Sequence, residues 1–162
     1  IMSEKLLDMI NEQMNFELQS AYEYKAMQIY ADDEEFEGFA HWYGHQVREE
    51  IEHAEKMTKF LQEVGYKPVY KTLEAPNTEF KDLLDVAKQA LAHEKEVTKR
   101  IHEIAKAARE EGDERVISFI RWYVDEQIEE EDTFNKLITR LERINGNYGG
   151  LYLLDGQLAH RG

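Results

Sequence analysis

Cysteine is absent from the chain, which removes disulfides, thiolate-bound metals and thiol nucleophiles in one step. Proline is almost absent: Pro68 and Pro76 are the only two, and both lie between Gly65 and Asn77. Helix-breaking residues are thus gathered into one short stretch, with long unbroken segments on either side. Long apolar runs are missing too. The opening segment IMSEKLLDMI is charged at its fourth and fifth residues and lacks the apolar length that a signal peptide or membrane span needs. A soluble, cytoplasmic protein with no membrane partner is therefore expected. Basic residues are in the minority, 20 against 34 acids, for a formal net charge of −14. Nucleic-acid backbones are gripped by clustered Lys and Arg, so no nucleic-acid partner is expected, and cations are the guests such a chain favours. What is present is 162 residues with 42% hydrophobic content, enough for one sizeable core and a single domain over residues 1–162.

The punctuation predicts four long helices. Ser3 caps a first helix to about Asp32, and Asp33 or a neighbour starts a second that stops at Gly65. Asn77 or Thr78, followed by Glu79, opens a third that ends near Gly112, and a fourth runs from about Asp113 to Gly146. Each holds roughly 30 residues and would be about 45 Å long, so side-by-side bundling is the arrangement that buries their apolar stripes. The first and last pairs are joined by a few residues and must be antiparallel hairpins. From Gly65 to Asn77 there are 13 residues, and at about 3.3 Å each they can cross a whole bundle length. The expected fold is all-α: a four-helix bundle over about 3–146, with one long crossover between the second and third helices. A short C-terminal fifth helix over about 147–162 carries Leu151, Leu153, Leu154 and Leu158 and suggests a neighbour to dock on.

Carboxylates interrupt the core stripes. The first helix reads Ile10, Met14, Glu17, Ala21, Tyr24, and the second Phe39, Tyr43, Glu50, His53, Met57, Phe60. The third reads Leu84, Ala87, Leu91, Glu94, Ile101, and the fourth Val116, Ile120, Tyr123, Gln127, Glu130, Phe134. Each interruption falls near mid-helix, so Glu17, Glu50, Glu94 and Gln127 should meet at one height. The segments VREEIEH (47–53) and VDEQIEE (124–130) lie 77 residues apart and share Val, Glu, Ile and Glu at matching positions. The same offset takes Glu17 to Glu94, Glu50 to Gln127 and His53 to Glu130, so two-fold related hairpins would present matching ligand sets.

Buried, unpaired carboxylates each cost several kcal/mol, and four converging in one core could not stay ionised together without cations between them. Glu17, Glu50, Glu94 and Glu130 supply four negative charges, enough for two divalent ions. Imidazole from His53 and a carbonyl from Gln127 complete a donor set that suits Fe²⁺ or Mn²⁺ and is poor for structural zinc. The plain alternative for any one of these acids is a solvated helix face. Met14, Met57, Trp42, Trp122 and most tyrosines read as packing, with Trp122 close enough to the second motif to touch the metal environment. His41, His45, His93, His102 and His160 read as surface or core fillers.

The segments NEQMNFEL around Glu17, EEIEHAEK around Glu50 and His53, HEKEVT around Glu94, FIRWYVDEQIEEE around Gln127 and Glu130, and the closing GLYLLD resemble those of the non-haem bacterial-type ferritins over nearly the entire chain. The resemblance implies a ferritin-like fold and an iron-storage protein with ferroxidase activity. One iron would be held by Glu17, Glu50 and His53, and a second by Glu94, Glu130 and a bridging Glu50, with Gln127 close by. Tyr24 would sit beside the pair and supply an electron or a hydrogen bond. A third iron position would use Glu49, Glu126 and Glu129, residues that also read as solvated helix positions. Two irons per subunit, Fe(II) with O₂ or H₂O₂ as reactants, and a homo-oligomeric cage of 24 subunits storing ferric oxyhydroxide follow from the same likeness. Haem is not expected, because Ile51 stands where bacterioferritins carry the haem methionine, and Gln127 with Glu130 replaces their second Glu-x-x-His. That replacement implies a weaker second iron site.

Animal-type ferritins line three-fold channels with acids at positions that correspond here to Ile117 and Ile120, leaving the entry route open. Glu110, Glu111, Asp113 and Glu114 could attract cations or form a solvated turn. Two rival readings share the fold: a di-iron or di-manganese oxidoreductase acting on peroxide or an organic substrate, and a DNA-protecting mini-ferritin. The second is disfavoured by ligand spacing and by the lack of a basic tail.

Overall fold

The computed structural model describes residues 4–162; the cap expected from Ser3 lies outside the described residues. Five helices follow one another with no strand among the described residues: α1 Glu4–Asp33, α2 Glu37–Glu63, α3 Leu83–Glu111, α4 Glu114–Ile144 and α5 Tyr148–Leu158. α1 packs mainly on α2, α3 mainly on α4, and α1 lies against α3. Both α2 and α3 start in the cluster that contains Phe39, Val86 and Phe134 and finish in the one that contains Leu61 and Ala108. They therefore run in the same direction, as the long crossover requires. No helix is long and apolar enough to cross a membrane.

The end of α1 falls where expected, while the starts of α2 and α3 differ, each for a local reason. α1 continues through Asp33, because Glu34 N–H still donates to the Tyr30 carbonyl at 3.0 Å. The turn is then made by Glu35 in the left-handed region, φ 64°. α2 starts at Glu37 behind Phe36, which has no capping side chain. The cap arrives instead from the tail: Asp155 Oδ1 accepts from Phe39 N–H at 2.8 Å. α3 starts at Leu83, behind Asp82, whose side chain accepts from Asp85 N–H at 2.8 Å. Asn77 folds the end of the crossover rather than opening a helix, accepting from Glu79 N–H and donating to Gln89 Oε1.

The crossover, residues 64–82, is fastened to α1 by three amides spaced one helical turn apart. Asn11 binds both the N–H and the carbonyl of Val69, at 2.9 and 3.0 Å. Asn15 accepts from Lys71 N–H at 2.8 Å and donates to the Val69 carbonyl at 2.9 Å. Gln19 does the same to both backbone groups of Glu74. A segment without its own secondary structure thereby has its backbone hydrogen bonds satisfied along a helix. Asn11 and Asn15 are buried in making these contacts, and Gln19 is half-buried.

The expected stripes of the two middle helices are largely interior, Phe39, Tyr43, Met57, Ala87 and Ile101 among them, and three of their positions are displaced. Phe60, Leu84 and Leu91 are half-buried, while Leu61, Leu83, Val86, Ala90 and Val97 fill the centre. The core is also divided. One apolar cluster gathers Tyr24, Phe39, Tyr43, Val86, Phe134 and the α5 leucines; the other gathers Ile10, Met14, Met57, Ile101, Ile120 and Tyr123. Between them lies a polar layer. α5 docks on its own chain, burying Leu154 and Leu158 and half-burying Leu151, whereas Leu153 points outward. Gly38 makes this approach possible, since a Cβ there would sit 1.8 Å from the Asp155 carbonyl oxygen.

Candidate metal centre

The polar layer is built by one helical turn from each of the four long helices. Glu17 comes from α1, Glu50 and His53 from α2, Glu94 from α3, and Gln127 and Glu130 from α4; none is more than 6% exposed. Ligand atoms of Glu17, Glu50 and His53 all lie within 4.8 Å of one another, and so do those of Glu50, Glu94 and Glu130. Glu50 belongs to both groups. Its Oε2 is buried with no hydrogen-bond partner, although His53 Nδ1 stands 3.4 Å away. A buried carboxylate oxygen left without a donor, between two sets of oxygen and nitrogen ligands, fits a cation pair far better than hydrocarbon packing.

Three of the four acids are oriented by hydrogen-bonding neighbours. Gln13 Nε2 donates to Glu17 Oε2 at 2.7 Å, and His53 Nδ1 lies 3.3 Å from Glu17 Oε1. Tyr24 donates its hydroxyl hydrogen to Glu94 Oε2 at 2.5 Å. Gln127 Nε2 donates to Glu94 Oε1 at 3.1 Å and is within reach of the Glu94 carbonyl and Thr98 Oγ1. Gln46 Nε2 donates to Glu130 Oε2 at 3.1 Å, and the Tyr123 hydroxyl donates to the His53 carbonyl at 2.6 Å. Gln46 and Tyr123 are 77 residues apart, as are His53 and Glu130, so these two contacts are mates under the internal two-fold. Phe16 and His93, separated by the same 77 residues, stack on each other at 5.0 Å.

Gln13 and Gln46 are missed when the sequence is read alone. Glutamine is ordinary on exposed helix faces, and only the facing helix shows that these two are interior. For Gln13 a signal existed, its position one turn before Glu17.

Electrostatics follow from burial. Desolvation raises Glu94 to about 8, with Glu130 adding to it and the hydrogen bonds from Tyr24 and Gln127 opposing it. Desolvation raises Glu130 to about 7 against the hydrogen bond from Gln46. Glu50 is raised well above the usual carboxylate range by burial and by Glu94 and Glu17. Burial alone would depress His53, yet the Glu17 and Glu50 carboxylates beside it override that and push it up to about 11. The cluster holds on to protons at neutral pH unless another positive charge replaces them.

The three acids expected at a third position stand near one another beside the centre, with Glu126 feeling both Glu129 and Glu49. Glu49 and Glu126 are half-buried and Glu129 is exposed, so the three do not join either ligand group. Glu49 is engaged by His45 and Arg161. Glu126 is raised chiefly by partial burial, with Glu129 among the further causes. Ile51 lies on the exposed face of α2. Trp122 stands edge-on to His53 at 5.3 Å, with Lys56 Nζ 3.3 Å above its ring. Met14, Met57 and Trp42 are packed in the core. His93 Nε2 is 2.6 Å from Ser20 Oγ. Ile120 is 2% exposed within its own bundle, which removes it from any channel wall between subunits. Glu110, Glu111 and Glu114 are exposed, and Asp113 caps α4. A surface groove lined by Thr98, His102, Gln127, Ile128 and Glu131 reaches the centre at Gln127.

Comparison with known proteins bears on this arrangement. The profile of a family described as Ferritin-like domain matches residues 7–144. The chain is 40% identical over 161 residues to a bacterial non-heme ferritin of Staphylococcus haemolyticus, covering 99% of this chain and 97% of that protein. It is 37% identical, with the same coverage, to a bacterial non-heme ferritin of Staphylococcus aureus. An open pore ferritin from the hyperthermophilic archaeon Archaeoglobus fulgidus superposes with a TM-score of 0.98 at 36% identity, covering 100% of both chains.

Proposed function

The chain belongs to the ferritin-like family, and on that premise we propose that it stores iron by oxidising Fe(II) inside each bundle and depositing Fe(III) in a cage of its own copies. Glu17, Glu50 and His53 take one Fe(II); Glu94, Glu130 and the shared Glu50 take the second, with Gln127 beside it. The observation that carries this reading is the orphaned Oε2 of Glu50 between two ligand groups.

Iron is the substrate. Two Fe(II) give up one electron each, O₂ is reduced to peroxide, and hydrolysis of the Fe(III) products releases protons as ferric oxyhydroxide forms. H₂O₂ can serve in place of O₂, accepting the two electrons and leaving as water. The protein supplies position and charge. Divalent ions displace the protons held by Glu50, Glu94 and Glu130, and the carboxylates then hold the pair at bridging distance. Tyr24, hydrogen-bonded to Glu94, fixes the orientation of that carboxylate and, one hydrogen bond from a ligand of the second ion, would be placed as an electron source. Gln127 offers a neutral amide where a second imidazole would bind more tightly, which favours departure of the oxidised product. Storage requires an enclosed volume that one bundle lacks, so the functional unit is a hollow homo-oligomer, taken as 24 copies, working in the cytoplasm.

The test is an anaerobic Fe(II) titration of the assembled protein followed by exposure to air, comparing the native chain with Glu50→Ala and Glu17→Ala. Loss of a partner that merely orients a ligand already costs about 10–100-fold, so removing a ligand should slow oxidation by at least that much. Equal rates would reject the site. Retention of iron in the assembled particle after gel filtration separates storage from a ferritin-fold oxidoreductase, which would turn over without keeping it.

A further inference from the structure

The end of the chain folds back over the metal centre. Beyond α5, the Arg161 guanidinium lies over the Trp42 ring at 4.5 Å and donates to the Trp42 carbonyl at 3.2 Å. It also donates to Gln46 Oε1 and, at 3.3 Å, to Glu49 Oε2. Its own carbonyl is 2.6 Å from His41 Nε2. Trp42, Gln46 and Glu49 share one face of α2, so a single side chain spans two helical turns.

Gln46 is completely buried, and its amide can be placed in two ways that differ in which atom faces Glu130. Arginine has donors and no acceptor. By occupying Oε1 it leaves Nε2 as the atom turned to Glu130, where the hydrogen bond of 3.1 Å is found. With the amide reversed, Glu130 would meet a carbonyl oxygen and lose its one donor from α2.

We infer that Arg161 is a positioning residue for the second metal position, acting through Gln46 to fix the carboxylate of Glu130, so that the segment after α5 sets how tightly the second ion is held. This rests on the assignment of Glu50, Glu94 and Glu130 to that ion. Glu49 anchors the guanidinium from the other side, and the Trp42 ring restricts its swing. Lysine could replace it only in part, because an ammonium ion lacks the planar fork that reaches Gln46, Glu49 and the Trp42 carbonyl together.

The test is an anaerobic Co²⁺ titration of the assembled protein, read by calorimetry and by the visible spectrum of the bound ion, for the native chain, Arg161→Ala, Arg161→Lys, Gln46→Leu and the double variant Arg161→Ala with Gln46→Leu. The native chain should bind two ions. Arg161→Ala should weaken the second by about 10-fold and leave the first alone, Arg161→Lys should fall between, and the double variant should be no weaker than Gln46→Leu. A purely structural loss would weaken both ions and lower the thermal midpoint together, and that pattern counts against the inference, as does an unchanged second ion or an additive double variant. If Gln46→Leu does not assemble, the graded series from arginine to lysine to alanine decides alone. A native chain that binds no pair overturns the metal centre itself; a native pair indifferent to Arg161 overturns only this step.

Discussion

At the scale of single residues, the centre is a set of acids held above their ordinary range by burial, and the consequences can be measured. Because Glu94 is raised to about 8 and Glu130 to about 7, divalent ions must displace protons at neutral pH. Calorimetric titrations in buffers of different ionisation enthalpy should show proton release on ion binding, larger at pH 6 than at pH 9, where Glu94 and Glu130 have given up most of theirs and His53 still supplies one; buffer-independent heats at pH 6 would contradict the protonated cluster. Tyr24→Phe removes a hydrogen bond that holds the Glu94 pKa down. Its rise would then go further, and the pH at which the second ion binds should move upward, with little change at the first. An unaltered pH profile would mean that Tyr24 contributes only packing. The acids were legible in the sequence because each breaks an apolar stripe at a duplicated spacing, a pattern that solvated faces do not produce. Their supports were less so. Gln46 touches Glu130 from 84 residues away, and nothing in its own helix distinguishes it from a surface glutamine.

At the scale of elements, the fold depends on two seams that local sequence rules do not reveal. The first is the contact of α5 with the start of α2. Gly38→Ala would put a methyl group 1.8 Å from a backbone oxygen that cannot rotate away, so α5 must lift, losing the cap on Phe39 and the burial of Leu154 and Leu158. Each leucine contributes about 2 kcal/mol, and denaturant unfolding of Gly38→Ala should show a loss of that order or more, whereas Gly156→Ala, at a position with open space, should lose little. The second seam is the ladder from α1 to the crossover. Asn15→Leu leaves the Lys71 N–H without its partner and should cost about 1–3 kcal/mol; a neutral outcome would show that solvent satisfies that backbone equally well. Four helices, their pairing and the crossover could be read in advance because long periodic segments and short loops constrain topology strongly. The start of α2 could not, since its cap is Asp155, more than a hundred positions downstream, and the start of α3 was misplaced because Asn77 has the chemistry of both a cap and a turn.

At the scale of the whole molecule, a layer of acids divides the hydrophobic core in two, so stability and ion binding are in direct tension. Glu94, Glu130 and Glu50 bind protons more tightly in the folded chain than in the unfolded one, where a carboxyl has its usual pKa near 4.5. Their contribution is fully present below about pH 4.5 and is lost as pH rises through 7 to 8. His53 runs the same way: raised from 6.5 to about 11, it contributes fully below pH 6.5 and loses that contribution progressively as pH rises through about 11. In chelator, then, thermal stability should decline from pH 5 to pH 8. Glu94→Gln, which removes a charge without changing shape, should flatten that decline and exceed the native chain at pH 8 by an amount on the order of a few kcal/mol, while binding the second ion poorly. Added Fe(II) under argon, or Co²⁺ in air, binds the folded chain alone and stabilises it in proportion to the logarithm of its concentration over the dissociation constant. Fewer protons oppose the ion at high pH, so the gap in thermal midpoint between ion-loaded and chelated protein should widen steadily from pH 5 to pH 8. A gap that stays constant across that range would mean that the ions bind at solvated surface acids, and the central layer would then be an unexplained burden on the core.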